Sequence, residues 1–242
     1  MNPAALISSV ETVRPAGGHL IDPRFERHPE IVDLLGDIRR GAAERERTRT
    51  LPRAEARALA NLGLGAVRLP RELGGHGWTL EDLQRFIYAL GLADANLAHA
   101  LRNHYLHVEL LLNADDDAAR DEKVGRVVGG ALIGGANSER DETEMGRIAT
   151  TLVPDGDLFV LNGRKFYSTG AILADFISVS ATSAEGQRRW LLIPSDRAGV
   201  TLVDDWDGFG QKLTGSGTTI FENVVVYPDE IETEDIMTGE LR

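Results

Sequence analysis

Two histidines at helical spacing are the first side chains in this sequence that could do chemistry. His104 and His107 are three residues apart in a predicted helix from about residue 97 to 112, so they share a face. Such a pair could bind a metal or transfer protons. No carboxylate accompanies it at the Glu-x-x-His spacing of di-iron sites, so we predict no metal site. A packed or polar pair is the simpler interpretation, and proton transfer by His104 requires this helix to line a cleft.

Polar and aromatic residues at two predicted strand ends are the second candidates. One group is Asn137-Ser138-Glu139 and the other is Phe166-Tyr167-Ser168-Thr169-Gly170. A tyrosine ring can cover a flat heteroaromatic ligand while neighbouring amide and hydroxyl groups bond its polar edge. The alternative is that tyrosine and threonine occur here because they pack well on a pleated sheet. The residues alone leave both interpretations open.

Other sequence features argue against hydrolase, dinucleotide-binding and cysteine-based functions. Thr214-Gly215-Ser216-Gly217 has threonine where the nucleophile elbow of hydrolases has its first glycine. The glycines of Gly63-Leu64-Gly65 and Gly129-Gly130 do not complete a dinucleotide fingerprint. The absence of cysteine excludes disulfides, thiolate metal sites and cysteine nucleophiles. Redox chemistry would therefore need a bound cofactor.

The elements that must position these residues divide into two regions. From residue 29 to 128 apolar residues recur at helical spacing, and Thr79 with Asp82 predicts the start of one helix. From residue 129 to 228 short β segments alternate with turn signals, among which Asp155-Gly156 and Asn162-Gly163 predict tight hairpins. We therefore predict an α+β fold, in which an N-terminal all-helical domain is followed by an antiparallel β-sandwich or barrel.

The two ends of the chain are assigned to neither domain. Residues 1–28 are predicted to be an N-terminal arm. Residues 229–242 are rich in Asp and Glu, and we expect this acidic tail to lie in solvent or to cover a partner.

The amino-acid composition argues against nucleic-acid and membrane partners. The 242 residues include 26 Lys and Arg against 38 Asp and Glu, a net charge of −12, which disfavours binding to a phosphate backbone. We therefore expect no nucleic-acid partner. No stretch approaches the roughly 18 apolar residues of a membrane span, and the N-terminus lacks the basic and apolar regions of a signal peptide. These features predict a cytoplasmic protein with no membrane association.

Ordered motifs along nearly the whole chain resemble the acyl-CoA dehydrogenase family. They are Leu69-Pro70-x-x-Leu73-Gly74-Gly75-x-Gly77, Leu161-Asn162-Gly163-x-Lys165-x-Tyr167-Ser168-Thr169-Gly170-Ala171 and Thr214-Gly215-Ser216-Gly217-Thr218-Thr219-x-Phe221-x-Asn223-Val224. The resemblance implies a flavin bound against the β domain, with substrate between that domain and the helices.

The resemblance also implies which residues contact the flavin. Tyr167 occupies the place of the family tryptophan that lies against the isoalloxazine, and Thr169 matches the threonine that bonds the ring edge near N5. Ser138 falls where the family's Thr-Glu-Pro motif has its flavin-contacting threonine, and Asn137 precedes it. These four are the expected cofactor-binding residues.

Departures from the dehydrogenase pattern point to another branch of the family. The acyl-CoA-associated Pro-x-x-Gly-Ser-Asp is replaced by residues 140–146, Arg-Asp-Glu-Thr-Glu-Met-Gly. The sequence looks closer to the flavin-dependent monooxygenase branch that includes dibenzothiophene monooxygenases. There reduced flavin, usually FMN from a separate reductase, reacts with oxygen, and His104 and Ser168 resemble the catalytic histidine and a pocket hydroxyl. The expected activity is monooxygenation of a small apolar or sulfur-containing substrate.

Other cofactors and functions are also compatible with the sequence, and one domain of the family has no counterpart in it. FAD in place of FMN, an acyl-CoA dehydrogenase activity, and a non-catalytic remnant or subunit are the alternatives. Family members continue into a C-terminal helical bundle that contributes to the cofactor site and to oligomer contacts, whereas this sequence stops at Arg242. We therefore expect a homo-oligomer or a partner chain that carries the bundle, and weak flavin binding by the isolated chain.

Overall fold

The computed structural model describes residues 20–114, 118–140 and 148–232. Arm residues 1–19, tail residues 233–242 and the replaced motif at 141–146 lie outside these described residues. Within them the helices are α1 Pro29–Thr48, α2 Arg53–Asn61, α3 Leu80–Ala93, α4 Ala95–Ala100, α5 Arg102–Asn113 and α6 Ala118–Val128. The strands are β1 Ile133–Ala136, β2 Thr151–Asp155, β3 Leu158–Lys165, β4 Phe176–Ser183, β5 Arg188–Pro194, β6 Val200–Val203, β7 Thr218–Val226 and β8 Ile231–Glu232.

The helical region packs around an aromatic cluster. Phe25, Trp78 and Phe86 are buried, and the Phe25 and Phe86 rings meet edge-on with centroids 5.6 Å apart. The Trp78 indole N–H donates to the carbonyl of Ile21 over 2.8 Å. Ile21 and Phe25 fall within the predicted arm, yet both are buried against the helices. The apolar side chains that complete the helical core therefore begin before α1.

One predicted helix boundary agrees with the structure and another prediction does not. Thr79 caps α3 as expected, since its hydroxyl accepts from the Asp82 amide and the Asp82 carboxylate accepts from the Thr79 amide. The single helix expected near residues 97–112 is instead two helices, α4 and α5, joined at Leu101. α5 contains His104 and packs on β1.

The second region is one mixed sheet in the order β6-β7-β3-β2-β4-β5-β8, with β1 also on β4. The division into a helical domain and a following β domain is confirmed. The expected antiparallel pairing holds for most strand pairs, but the sheet is mixed because β1 and β2 both pair with β4 in parallel. Hairpin signals predict only the pairing of sequence neighbours, and these parallel pairs are formed by strands that are not joined by a hairpin. The described strands do not close into a barrel.

The two predicted hairpin turns have different outcomes. A two-residue hairpin joins β2 to β3 as expected, but its central residues are Gly156 and Asp157 and not Asp155-Gly156, because Asp155 still pairs with Leu158. Asn162-Gly163 lies inside β3, where the register with β7 shifts between Leu161 and Gly163. Gly163 has φ +151°, and a Cβ there would lie 2.5 Å from the Thr150 hydroxyl oxygen. The glycine therefore serves a bulge and a close strand approach instead of a turn.

The start of the acidic tail is structured, contrary to expectation. Glu230 is buried and forms an ion pair with Arg197. Glu232 is also buried, with its Oε1 3.3 Å from Lys123 Nζ and 3.4 Å from His107 Nε2. Ion pairing, which residue counting cannot reveal, holds these acids against the domain. Among the described residues, no helix is both long and apolar enough to span a membrane.

Candidate functional site

The candidate site lies where the segments after β1 and β3 meet. The amide of Phe166 donates to the carbonyl of Ser138 over 2.8 Å, forming an isolated bridge. This bridge places Asn137 and Ser138 beside Tyr167, although about 30 residues separate the two segments in sequence. Both Asn137 and Ser138 are exposed. Three of the four predicted cofactor residues therefore lie on neighbouring segments and are exposed.

A buried ion pair joins the two segments from behind. Glu139 follows Ser138 and accepts from the Lys165 ammonium, the Thr150 hydroxyl and the amides of Ala149 and Thr150. Burial opposes ionisation of Glu139, but these hydrogen bonds outweigh it and hold its pKa below the ordinary value. Burial lowers the pKa of Lys165, whose side chain is fully buried, and the Glu139 carboxylate opposes that change. The pair fixes the backbone from which Ser138 and Tyr167 project.

Tyr167 combines exposure with an unusual backbone. Its φ is +56°, in the left-handed region that favours glycine, and its side chain is 46% exposed. The ring meets Trp206 edge-on with centroids 5.8 Å apart. The Arg140 guanidinium lies 5.0 Å from the ring centroid, and its Nε donates to the phenolic oxygen over 3.2 Å. The aromatic ring is therefore held at the surface by specific neighbours.

Hydroxyl groups lie behind Tyr167. Ser168 is buried, its amide donates to the carbonyl of Gly217, and its Oγ has no hydrogen-bond partner among the described residues. Thr169 is buried too, with its Oγ1 2.8 Å from the Ser216 Oγ. A buried hydroxyl without a partner is costly, so Ser168 marks a place where a ligand or water is expected.

The helices contact this site through Asn103 of α5. Its side-chain amide donates to the carbonyl of Thr169 over 2.9 Å. Gly135 of β1 makes room for it, since a Cβ there would lie 2.6 Å from the Asn103 Nδ2. The amide of Gly135 also donates to the Thr169 carbonyl. Asn103 of the helical region and Gly135 of β1 therefore both donate to the carbonyl oxygen of Thr169.

His104, the predicted catalytic residue, is fully buried in the same helix. Its Nε2 lies 2.9 Å from the Gly65 carbonyl, and its Nδ1 accepts from the Ile133 amide over 3.3 Å. Because a carbonyl only accepts, Nε2 carries the proton. Burial lowers the pKa of His104 to about 4, so the ring is neutral at pH 7. Both nitrogens are thus used by backbone groups, and the ring links α5 to the start of β1.

Sequence reasoning identified part of this arrangement. Asn137, Ser138, Tyr167 and Thr169 lie on adjoining segments, and Ser168 lies between the last two. His104 has no hydrogen bond to any of these five among the described contacts. The contributions of Asn103, Arg140 and Ser216 were missed. The Thr-Gly-Ser-Gly run was a signal for Ser216, but as part of the family resemblance it did not indicate which side chain Ser216 would bond.

Two family models match this chain. The model "Acyl-CoA dehydrogenase, N-terminal domain" matches residues 36–130. The model "Acyl-CoA dehydrogenase, middle domain" matches residues 136–224. Together they cover both regions of the described fold, including every predicted site residue.

Curated relatives and a solved structure are also similar. Dibenzothiophene monooxygenase of Rhodococcus erythropolis is 31% identical over 199 residues, covering 78% of this chain and 47% of the relative. The probable FMNH2-dependent monooxygenase SfnC of Pseudomonas putida is 28% identical over 205 residues, covering 82% and 50%. The crystal structure of FMN-bound TdsC from Paenibacillus sp. A11-2 superposes with a TM-score of 0.77 at 30% identity, covering 84% of this chain and 52% of that one. The chain spans about half the length of the relatives it matches.

Proposed function

Since the chain belongs to the acyl-CoA dehydrogenase family, whose N-terminal and middle domains it contains, we propose that it is part of a flavin-dependent monooxygenase. The proposed reaction uses reduced FMN and oxygen to oxygenate a small apolar or sulfur-containing molecule. Relatives described as FMNH2-dependent and FMN-bound support this choice over an acyl-CoA dehydrogenase.

The observation that carries the proposal is the half-exposed Tyr167 ring beside a buried hydroxyl without a partner. Tyr167 presents aromatic surface, and Ser168 Oγ lacks a hydrogen-bond partner among the described residues. A flat heteroaromatic ligand with polar edge atoms satisfies both, because its face can cover the ring while its edge bonds a hydroxyl. The residues present therefore fit a flavin.

Four residues would hold that flavin. Tyr167 would lie against the isoalloxazine, and Thr169 would bond the ring edge near N5. Ser138 and Asn137 would contact it from the neighbouring segment. When bound, the reduced flavin supplies the electrons that activate oxygen, and the protein supplies position and a site with little water.

Ser168 and His104 are the proposed contributors to oxygen transfer. The Ser168 Oγ is buried and has no hydrogen-bond partner among the described residues, so its proton is available to a group that reaches it. His104 remains a candidate for proton transfer. Its contacts, however, support an indirect role in which it positions the start of β1. It is neutral at pH 7 and holds the amide of Ile133, in the strand that leads to Asn137.

The proposed partners follow from the reaction. A separate flavin reductase would supply reduced FMN, with FAD as the alternative cofactor. We also propose that the functional protein is cytoplasmic and is an oligomer or includes a chain carrying the C-terminal helical bundle.

The test supplies excess reduced FMN, labelled oxygen and a panel of sulfur heterocycles to the protein. The proposal predicts label in the product from at least one heterocycle, with less from the Tyr167→Ala variant. A parallel reaction offers acyl-CoA thioesters and an artificial electron acceptor to the protein with oxidised flavin. Bleaching of bound flavin by an acyl-CoA, with no labelled product in the first reaction, would overturn the proposal in favour of a dehydrogenase.

A further inference from the structure

Two histidines hold consecutive backbone amides of the segment that precedes α1, residues 20–28, which we call the strap. The Ile21 amide donates to Nδ1 of His76 over 3.2 Å, and the Asp22 amide donates to Nε2 of His28 over 3.0 Å. The first contact is buried and joins residues 55 positions apart in sequence. It therefore fixes the strap against the rest of the helical region.

The strap packs on the aromatic side chains of the helical core. Ile21 and Phe25 are buried, and the Ile21 carbonyl accepts from the Trp78 indole N–H. The Phe25 ring centroid lies 6.4 Å from that of Trp78 and 5.6 Å from that of Phe86. Trp78 therefore reports on whether the strap is in place.

Both contacts require a neutral imidazole. A ring nitrogen accepts a hydrogen bond only when it carries no proton. His76 accepts through Nδ1, so its single proton is on Nε2, which faces the backbone of Gly63. A second proton would turn Nδ1 into a donor that faces the Ile21 amide. Protonation of His28 would do the same at its strap contact, so each protonation replaces an attraction with a repulsion.

The surroundings of His76 oppose its protonation while the strap is bound. Burial lowers the pKa of His76 below its ordinary value of 6.5 and outweighs the hydrogen bond with the Gly63 backbone. The positive charges of Arg71 and of protonated His28 lower this pKa further. Release of the strap opens Nδ1 to water, so the released state binds a proton more readily. Binding of the strap should therefore weaken as the pH falls below about 6.5.

The other charged groups at the strap do not counteract this effect. Glu30 of α1 has its Oε1 3.4 Å from Nδ1 of His28, so it favours the protonated form of that ring. Hydrogen bonds from Arg24 hold the pKa of the Asp22 carboxyl well below its usual range, so Asp22 stays ionised. The remaining charged groups lie on the strap or on α3, and they are Glu26, Arg27, Asp82 and Arg85.

We propose that His76 and His28 form an acid-sensitive latch, which holds the strap on Trp78 while both rings are neutral and releases it when they are protonated. The helices of the region keep their own packing when the strap leaves. Among the described residues, neither histidine bonds a residue of the candidate flavin site, so the inference does not depend on the proposed function.

The test measures the protection of backbone amides from hydrogen exchange in the full 242-residue chain at pH 7.5 and pH 5. Protection is expressed relative to an unstructured chain at the same pH, which removes the direct effect of pH on exchange. Protection of the Ile21 and Asp22 amides should fall about tenfold, because the released state binds more protons over this range. Amides of α3 should keep their protection. In a Trp190→Phe, Trp206→Phe background, Trp78 emission should shift to longer wavelength over the same range.

His76→Asn and His28→Gln identify the latch. Asparagine places an oxygen near the position of Nδ1 and glutamine places one near Nε2, so each can accept from the strap amide without titrating. Each variant should show a smaller fall in protection, and the double variant should show none. His99→Asn is the matched control, because His99 of α4 is a histidine whose pKa burial also lowers but which has no hydrogen bond to the strap among the described residues.

Three outcomes would overturn the inference. One is protection of the strap amides that does not change with pH in the unaltered protein. Another is a fall as large in the two latch variants as in the unaltered protein and in His99→Asn. The third is an equal fall across the strap and α3, which would show general unfolding. The single variants decide the second point if the double variant folds poorly.

Discussion

Tyr167 is the residue whose conformation points most directly to a binding role. A non-glycine residue in the left-handed region costs on the order of 1 to 3 kcal/mol, and such strain clusters at functional sites. Tyr167 has this backbone while almost half of its side chain is exposed. Packing into the core therefore does not account for the strain, and we propose that contact with a ligand ring does.

Replacing Tyr167 with alanine should weaken flavin binding by about 1 to 3 kcal/mol, because the stacked ring is lost while the backbone keeps a Cβ. Titration of FMN followed by its fluorescence measures the change. Tyr88→Ala is the control, since Tyr88 is an exposed tyrosine on α3. Equal affinities of the unaltered protein and Tyr167→Ala would remove Tyr167 from the site.

His104 should make stability depend on pH. Its pKa is about 4 in the folded protein and near 6.5 when exposed, so the unfolded chain binds one more proton between these values. The free energy of unfolding should therefore fall as pH drops from 6.5 to 4, by about 3 kcal/mol from this residue. His76 and His107, whose pKa values burial also lowers, act in the same direction.

The His104→Gln variant isolates that contribution. Glutamine does not titrate, so urea unfolding between pH 7 and pH 4 should show a shallower loss of stability than in the unaltered protein. An identical pH dependence in both proteins would mean that His104 is protonated in the folded state at these pH values.

Some of these residues could be predicted from sequence and others could not. Tyr167, Ser168 and Thr169 are consecutive, so a local pattern was enough to group them. Ser216 is 47 residues beyond Thr169, and their contact depends on a backbone hydrogen bond between Gly170 and Thr214. The burial that neutralises His104 likewise depends on the packing of α5 against β1. Neither contact has a signature in the local sequence.

At the scale of elements, the Glu139–Lys165 ion pair holds together the segments that follow β1 and β3. Lys165→Met should lower the free energy of unfolding by about 3 kcal/mol, because it leaves a carboxylate without its cation in a mostly buried position. The double variant Lys165→Met with Glu139→Gln should recover part of that loss. Urea unfolding of the unaltered protein, the two single variants and the double variant measures the coupling.

An exposed pair provides the comparison. Arg126 and Glu122 form an ion pair one helical turn apart in α6, and Glu122→Gln should cost less than about 0.5 kcal/mol. If Lys165→Met lowers the free energy of unfolding no more than Glu122→Gln does, the Glu139–Lys165 ion pair does not hold the two segments together.

The strands show what local signals can and cannot predict. The turn signal at Asp155-Gly156 correctly predicted that a hairpin joins β2 to β3. The same kind of signal at Asn162-Gly163 marks a bulge. A dipeptide that allows positive φ fits either use, and only the approach of Thr150 distinguishes them. The parallel pairing of β4 with β1 and β2 joins strands that are distant in sequence, so no hairpin signal reports it.

At the scale of the whole molecule, polar contacts tie the helices to the sheet region. Arg57 bonds Asp175 over 2.7 Å, the Asn96 side chain accepts from the Leu213 amide, and Lys123 pairs with Glu232. We therefore expect the two regions to unfold in one transition. Trp78 lies in the helical core, whereas Trp190 and Trp206 lie in the sheet region.

Tryptophan fluorescence can test that cooperativity. Trp78→Phe leaves reporters in the sheet region, and the double variant Trp190→Phe with Trp206→Phe leaves one in the helices. The two proteins should each show fluorescence and circular dichroism midpoints that coincide. Separate midpoints for the two spectroscopic signals would show that the regions unfold independently.

Composition and periodicity predicted the two-region architecture, but the family and its flavin depended on ordered motifs. The family models match both regions. Charge counts could not place the acids after Pro228, because Glu230 and Glu232 are buried through partners more than 30 residues away. Pairing across such distances is set by the fold and not by local composition.

The central claim is that Tyr167 and its hydroxyl-bearing neighbours contact a flavin, and a crystal structure of the protein grown with FMN tests it most directly. The account predicts the isoalloxazine against the Tyr167 ring, with Thr169 within hydrogen-bond distance of the N5 edge. An isoalloxazine bound elsewhere on the protein, with Tyr167 left uncovered, would contradict it.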